Sequence, residues 1–149
     1  MYSKFGQFID GKWQASSSNE TYDVINPATE DIIGKASKAS VADVDKALKS
    51  AEKGFETWKK FTPWDRARII RKIADLIRKK NNELAKWMTL ETGKPLSEGL
   101  AEASGSADIF EWNAEETKRI YGQTVESRFQ NTRVLINYEP VGVVAALSP

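Results

Sequence analysis

At 149 residues, 40% hydrophobic and 29% charged, the sequence has the make-up of an ordinary globular domain able to bury a core. Lysine and arginine (22) balance aspartate and glutamate (21), and a net charge of +1 gives no global pull toward nucleic acid, membrane or acidic substrates. The chain has no cysteine and no histidine, which excludes disulfides, thiolate nucleophiles, zinc–thiolate sites and Ser-His-Asp catalysis within these residues.

In chain order, residues 7–14 read as a β-hairpin around Asp10-Gly11, a favoured two-residue turn. Residues 22–25 form a strand that Asn26-Pro27 terminates, and residues 31–37 form a second, weaker strand. Ser40 then opens a helix, with Asp43 completing a capping-box pattern and Val41, Val44, Leu48, Ala51, Phe55 and Trp58 on one face. Thr62-Pro63 opens a second helix with a stripe of Ala67, Ile70, Ala74 and Ile77, widened by Ile73 and Leu76. This helix is expected to bend at Asn81-Asn82 and to end at Thr92-Gly93. A third begins near Pro95, carries Leu96, Leu100, Ala103, Ala107, Phe110 and Ala114, and fades near Tyr121-Gly122. Strands are expected at 123–127 and 133–138.

The apolar run 141–147 lacks alternation, the pattern of a strand covered on both faces in a parallel sheet. In open sheets of that kind ligands bind beyond the carboxyl ends of the strands. The expected fold class is therefore α/β, and the chain reads as the front part of a larger enzyme. No apolar stretch approaches the roughly 20 residues of a membrane span, and the N-terminus lacks a signal-peptide core. A cytoplasmic location is the default expectation.

Each candidate site has a plain structural alternative. The basic stretch 66–80 is interrupted by acidic neighbours and is read as a solvated helix face rather than a nucleic-acid surface. Gly93-Lys94-Pro95 could cradle an anion at a helix start, but without a glycine-rich phosphate loop a simple turn is favoured. Gly105, between Ser104 and Ser106, is expected to permit close helix packing. Glu91, Glu98, Glu102, Glu111, Glu115 and Glu116 are read mainly as surface charge.

The order of several segments resembles the N-terminal third of an NAD(P)-dependent aldehyde dehydrogenase. They are Phe-Ile-Asp-Gly-Lys-Trp at 8–13, Ile-Asn-Pro-Ala-Thr-Glu at 25–30 and Val-Asp-Lys-Ala at 44–47. Further along come Leu-Glu-Thr-Gly-Lys-Pro at 90–95, Asn-Ala-Glu-Glu at 113–116, Tyr121-Gly122 and Glu-Pro-Val-Gly-Val-Val at 139–144. The 90–95 turn and the Glu-Trp-Asn-Ala-Glu-Glu segment at 111–116 most resemble the semialdehyde branch, including succinate-semialdehyde dehydrogenases.

The resemblance implies the N-terminal hairpin and helical layer of a variant dinucleotide-binding domain over residues 1–121. It implies oligomerisation-arm strands over 122–139 and the first strand of the dinucleotide-binding sheet over 140–149. That sheet does without the G-x-G-x-x-G fingerprint. Leu147, Ser148 and Pro149 would line the cleft for NAD or NADP. No catalytic residue carries over, because the family's Pro-Trp-Asn continues past Pro149 and its reactive Cys and Glu lie further on. Some members hold a structural monovalent cation near the positions matching Ile25 and the turn before Gly93. The turn here is shorter, so Glu91 is not assigned as a ligand and no metal is expected.

The implied parent reaction oxidises an aldehyde to a carboxylic acid through thiolate addition, hydride transfer to NAD(P)+ and thioester hydrolysis. Implied partners are a small aldehyde and a homo-oligomer assembled through strands 123–138, with neither nucleic acid nor membrane. The chain by itself is expected to be inactive. The alternative is a non-catalytic module that binds through the 66–80 face or pairs through the 123–138 strands.

Overall fold

The computed structural model describes residues 6–148. Two ribbons lead: β1 (Gln7–Ile9) with β2 (Lys12–Gln14), and β3 (Thr21–Ile25) with β4 (Ile32–Ser37). Four helices follow: α1 (Val41–Trp58), α2 (Pro63–Lys79), α3 (Asn81–Thr92) and α4 (Leu96–Glu116). A 3-10 turn at Thr117–Arg119 leads to a third ribbon, β5 (Gln123–Glu126) with β6 (Arg133–Ile136). Each ribbon is a separate antiparallel pair.

Local chemistry accounts for most boundaries. Asp10 (φ 52°) and Gly11 (φ 74°) both adopt positive φ, the requirement of the tight hairpin turn that matches strand twist. The register sets Phe8 opposite Trp13, with ring centroids 5.1 Å apart. The Asn26 side chain accepts from the Ala28 backbone N–H at 3.0 Å and closes the turn after β3. Ser40 and Asp43 form the expected capping box at α1. Thr62 Oγ1 accepts from the Asp65 N–H at 3.2 Å, with Pro63 in the first turn of α2. Gly93 ends α3 in the left-handed region at φ 75°.

The helix break lies one residue earlier than expected. Lys80 (φ −101°, ψ 11°) both ends α2 and precedes α3, so Asn81 is the first residue of a new helix. No side chain caps that start. At the far end, α4 stops at Glu116, several residues before Tyr121.

The core is a seam of small residues where α2, α3 and α4 meet. Ala67, Ala74, Ala85, Ala103, Ala107 and Ala114 are buried, and no large side chain is fully buried among the described residues. Small side chains let helix backbones approach closely, so this contact comes from backbone proximity more than bulk. Gly99 shows how close. A methyl group built on it would lie 2.9 Å from the Ala85 carbonyl oxygen and 3.2 Å from its Cα. The expected close-packing residue, Gly105, has open space around it instead.

The α2 stripe is as expected at Ala67, Ile70, Ala74 and Ile77, but Ile73 and Leu76 are exposed and do not widen it. On α1, the predicted apolar face exists but is uncovered, with Val41, Val44, Leu48 and Trp58 all exposed. Its one buried residue is Asp43.

Candidate functional site

The run 141–147 is the segment that sequence reasoning placed at a ligand-binding edge. It follows β6 and has no strand pairing among the described residues. Val141 is 90% exposed and Leu147 99% exposed. The expectation of a buried strand is thus not met within this chain. A strand forms by satisfying its N–H and C=O groups on a neighbour, and none of the described strands pairs with these residues. Gly142 takes φ 100°, a conformation suited to glycine, and Val143 shares a depression with Lys49, Lys53 and Phe55 of α1. Leu147 and Ser148 therefore stand open, while Pro149 lies outside the described residues.

A polar centre joins the start of α1 to the loop before β3. The Asp43 carboxylate accepts from Ser40 N–H at 3.0 Å, Ser16 Oγ–H at 2.8 Å and Ser17 N–H at 3.1 Å. These donors, the Ser40 backbone first, hold its carboxyl well below the usual carboxylate range, against the opposing effect of burial. These hydrogen bonds commit the carboxylate to tying the α1 cap to the 16–17 loop, a structural role. The capping role of Ser40 and Asp43 was readable from their spacing. The contributions of Ser16 and Ser17 were not, and the run of three serines at 16–18 was the available signal.

The basic stretch of α2 is partly engaged with α4. Arg78 donates to Asp108 at 2.8 Å and Glu111 at 2.5 Å, and these bonds raise its pKa. Arg71 pairs with Glu115, which also meets Lys118 at 2.7 Å. Lys118 lies 5.0 Å from the centroid of the Trp64 ring. Two of the arginines read as solvated are therefore interhelical ties, and Glu111 and Glu115 are their partners rather than plain surface charge.

The turn at Gly93 is also structural. Lys94 pairs with Glu102 of α4, so its ammonium group already has an anion. A methyl group on Gly93 would lie 3.1 Å from Pro27 Cγ, so the fold brings the exit of β3 beside this turn. Beneath the Lys94–Glu102 pair, Ile77, Leu84, Trp87 and Met88 line a depression of about 730 Å³. Among the described residues, no three Asp or Glu side chains converge as a metal site.

Comparison with known proteins agrees with this arrangement of parts. The sequence pattern of the "Aldehyde dehydrogenase family" matches residues 13–149. A glutarate-semialdehyde dehydrogenase from Pseudomonas aeruginosa is 37% identical over 142 residues, covering 95% of this chain and 29% of the relative. An NADP(+) succinate-semialdehyde dehydrogenase from Schizosaccharomyces pombe is 39% identical over 143 residues, with the same two coverages. The crystal structure of succinate-semialdehyde dehydrogenase from Burkholderia pseudomallei superposes with a TM-score of 0.88 at 36% identity, covering 93% of this chain and 29% of that one. The chain thus spans under a third of the length of these relatives. Its hairpin, helical layer and β5–β6 ribbon have the fold of the corresponding part of those enzymes, and the chain belongs to the aldehyde dehydrogenase family.

Proposed function

We propose that this chain contributes the N-terminal part of an NAD(P)-dependent dehydrogenase that oxidises a semialdehyde to a carboxylic acid. The observation that carries this reading is the match to two semialdehyde dehydrogenases across nearly the whole chain. The nicotinamide group, when bound, accepts the hydride. The chain's own part is positional. Residues 1–121 belong to the cofactor-binding domain, 122–139 to an oligomerisation arm, and 140–149 to the first strand of the dinucleotide-binding sheet.

Leu147, Ser148 and Pro149 form one wall of the cofactor cleft in this reading. The openness of Leu147 and Ser148 fits a wall whose opposite side is supplied by other residues. The apolar run 141–147 becomes a strand when neighbouring strands cover it. With no cysteine among the 149 residues, the thiolate that attacks the aldehyde comes from elsewhere.

The test is nicotinamide reduction with succinate semialdehyde and glutarate semialdehyde, using NAD+ and NADP+ in turn. The 149-residue chain alone should give no turnover, and turnover would overturn the positional reading. Co-expression with the C-terminal part of the Burkholderia enzyme should restore oxidation of one semialdehyde. A folded complex inactive on both substrates with both cofactors would overturn the semialdehyde assignment. In an active complex, Leu147→Asp should raise KM for the dinucleotide about tenfold and leave kcat nearly unchanged, as expected for lost uniform binding.

A further inference from the structure

Four lysines converge on a groove that the dehydrogenase reading does not use. Lys46, Lys49 and Lys53 recur at intervals of three and four on α1, so they share one face over about 10 Å of helix. The β1–β2 hairpin supplies Lys12 to the same groove, with Ile9 and Asp10 completing its hairpin side. Its volume is about 420 Å³. Four lysines and one carboxylate, Asp10, are the charged residues of this lining.

Most of that charge is uncommitted. Lys46 lies 4.0 Å from Asp43, a carboxylate already supplied by serine donors. Lys12, Lys49 and Lys53 form no ion pair among the described residues. Clustered like charges repel one another, and a bound anion relieves that repulsion.

We infer that the groove between the β1–β2 hairpin and α1 binds a small polyphosphate anion through Lys12, Lys46, Lys49 and Lys53. Lysine is a compact point charge with three rotatable donors and binds phosphate oxygens in that capacity. The row of lysines extends far enough for more than one phosphate group. Asp10 at the hairpin, and Glu52 and Glu56 in the adjoining depression that Lys49 and Lys53 also line, bound the positive field, so it does not continue as a nucleic-acid track would. Ser50 adds a hydroxyl to the lining.

Titration calorimetry of the full chain with sodium tripolyphosphate tests this, at low and at physiological ionic strength. Saturable one-site binding that weakens with salt is expected. The Lys12→Gln/Lys49→Gln/Lys53→Gln variant should lose about tenfold or more in affinity, with an unchanged far-ultraviolet circular dichroism spectrum. The same three positions changed to Arg should retain binding. Lys72→Gln/Lys79→Gln/Lys86→Gln should bind as the parent does. Unchanged affinity in the first variant would overturn the inference. So would equal affinity for sulfate, or tighter binding of a DNA oligonucleotide at the same lysines. This outcome is independent of dehydrogenase activity, because the probe carries no nicotinamide.

Discussion

Asp43 concentrates several weak local preferences in one carboxylate. Its donors come from its own helix cap and from Ser16 and Ser17, far away in sequence. Because its folded pKa lies below the unfolded value of about 4, its contribution to stability is present above that pH. It is lost as pH falls further, toward the folded value. Asp43→Asn should therefore lower thermal stability at pH 7 and flatten the decline between pH 4 and pH 2.5, as followed by thermal melts. An equally steep acid limb in the variant would show that other carboxylates control it. Ser40→Ala removes the side-chain cap and should cost about 1 kcal/mol at neutral pH, measured by urea unfolding.

The α3–α4 contact makes an opposite pair of predictions for two glycines on one helix. At Gly99 the added methyl meets the Ala85 backbone, which cannot rotate away as a side-chain tip could. Overpacking costs about 1–3 kcal/mol and outweighs the roughly 1 kcal/mol gained in helix propensity, so Gly99→Ala should destabilise. At Gly105 nothing lies within 4 Å, and Gly105→Ala should stabilise by up to about 1 kcal/mol, a rise of about 2–4 °C in Tm. Both are read by calorimetry or thermal circular dichroism. The Arg78 pairs with Asp108 and Glu111 join α2 to α4 at the surface, and Arg78→Ala should cost no more than about 1 kcal/mol, less in high salt. Spacing in the sequence identified which helix carried each residue, but not which residue met a neighbour. That is why Gly105 was read as the close-packing residue while Gly99 was not singled out, and why Arg71 and Arg78 read as solvated.

Across the whole molecule, small buried residues coexist with wide exposed apolar surface. Val41, Trp64, Ile109, Trp112 and Leu147 are each between 64% and 99% exposed. Surfaces of this kind mark interaction sites or association hazards, so the chain alone should bind a hydrophobic dye such as ANS in its folded state. The β5–β6 ribbon adds open strand edges, with Leu135 66% exposed. If it is the assembly surface, Leu135→Lys should shift the size-exclusion profile toward monomer without altering the far-ultraviolet spectrum. A clean monomer in the parent chain at all concentrations would rule that role out for the isolated chain.

Residues a few positions apart settle the Asp10-Gly11 turn, the Ser40–Asp43 cap, the Pro63 helix start and the Gly93 stop. These features were legible in the sequence because their forces act within one turn of backbone. Segment order likewise carried the family, since the pieces from the hairpin to the 139–144 run occur in a single succession. Only the tertiary structure decided that alanines and Gly99 form the seam and that Ser16 and Ser17 complete Asp43. It also brought Lys12 to the lysine row of α1 and left 141–147 uncovered. Each depends on which distant segment lies alongside, and burial or pairing is a property of two surfaces rather than of one stretch of chain.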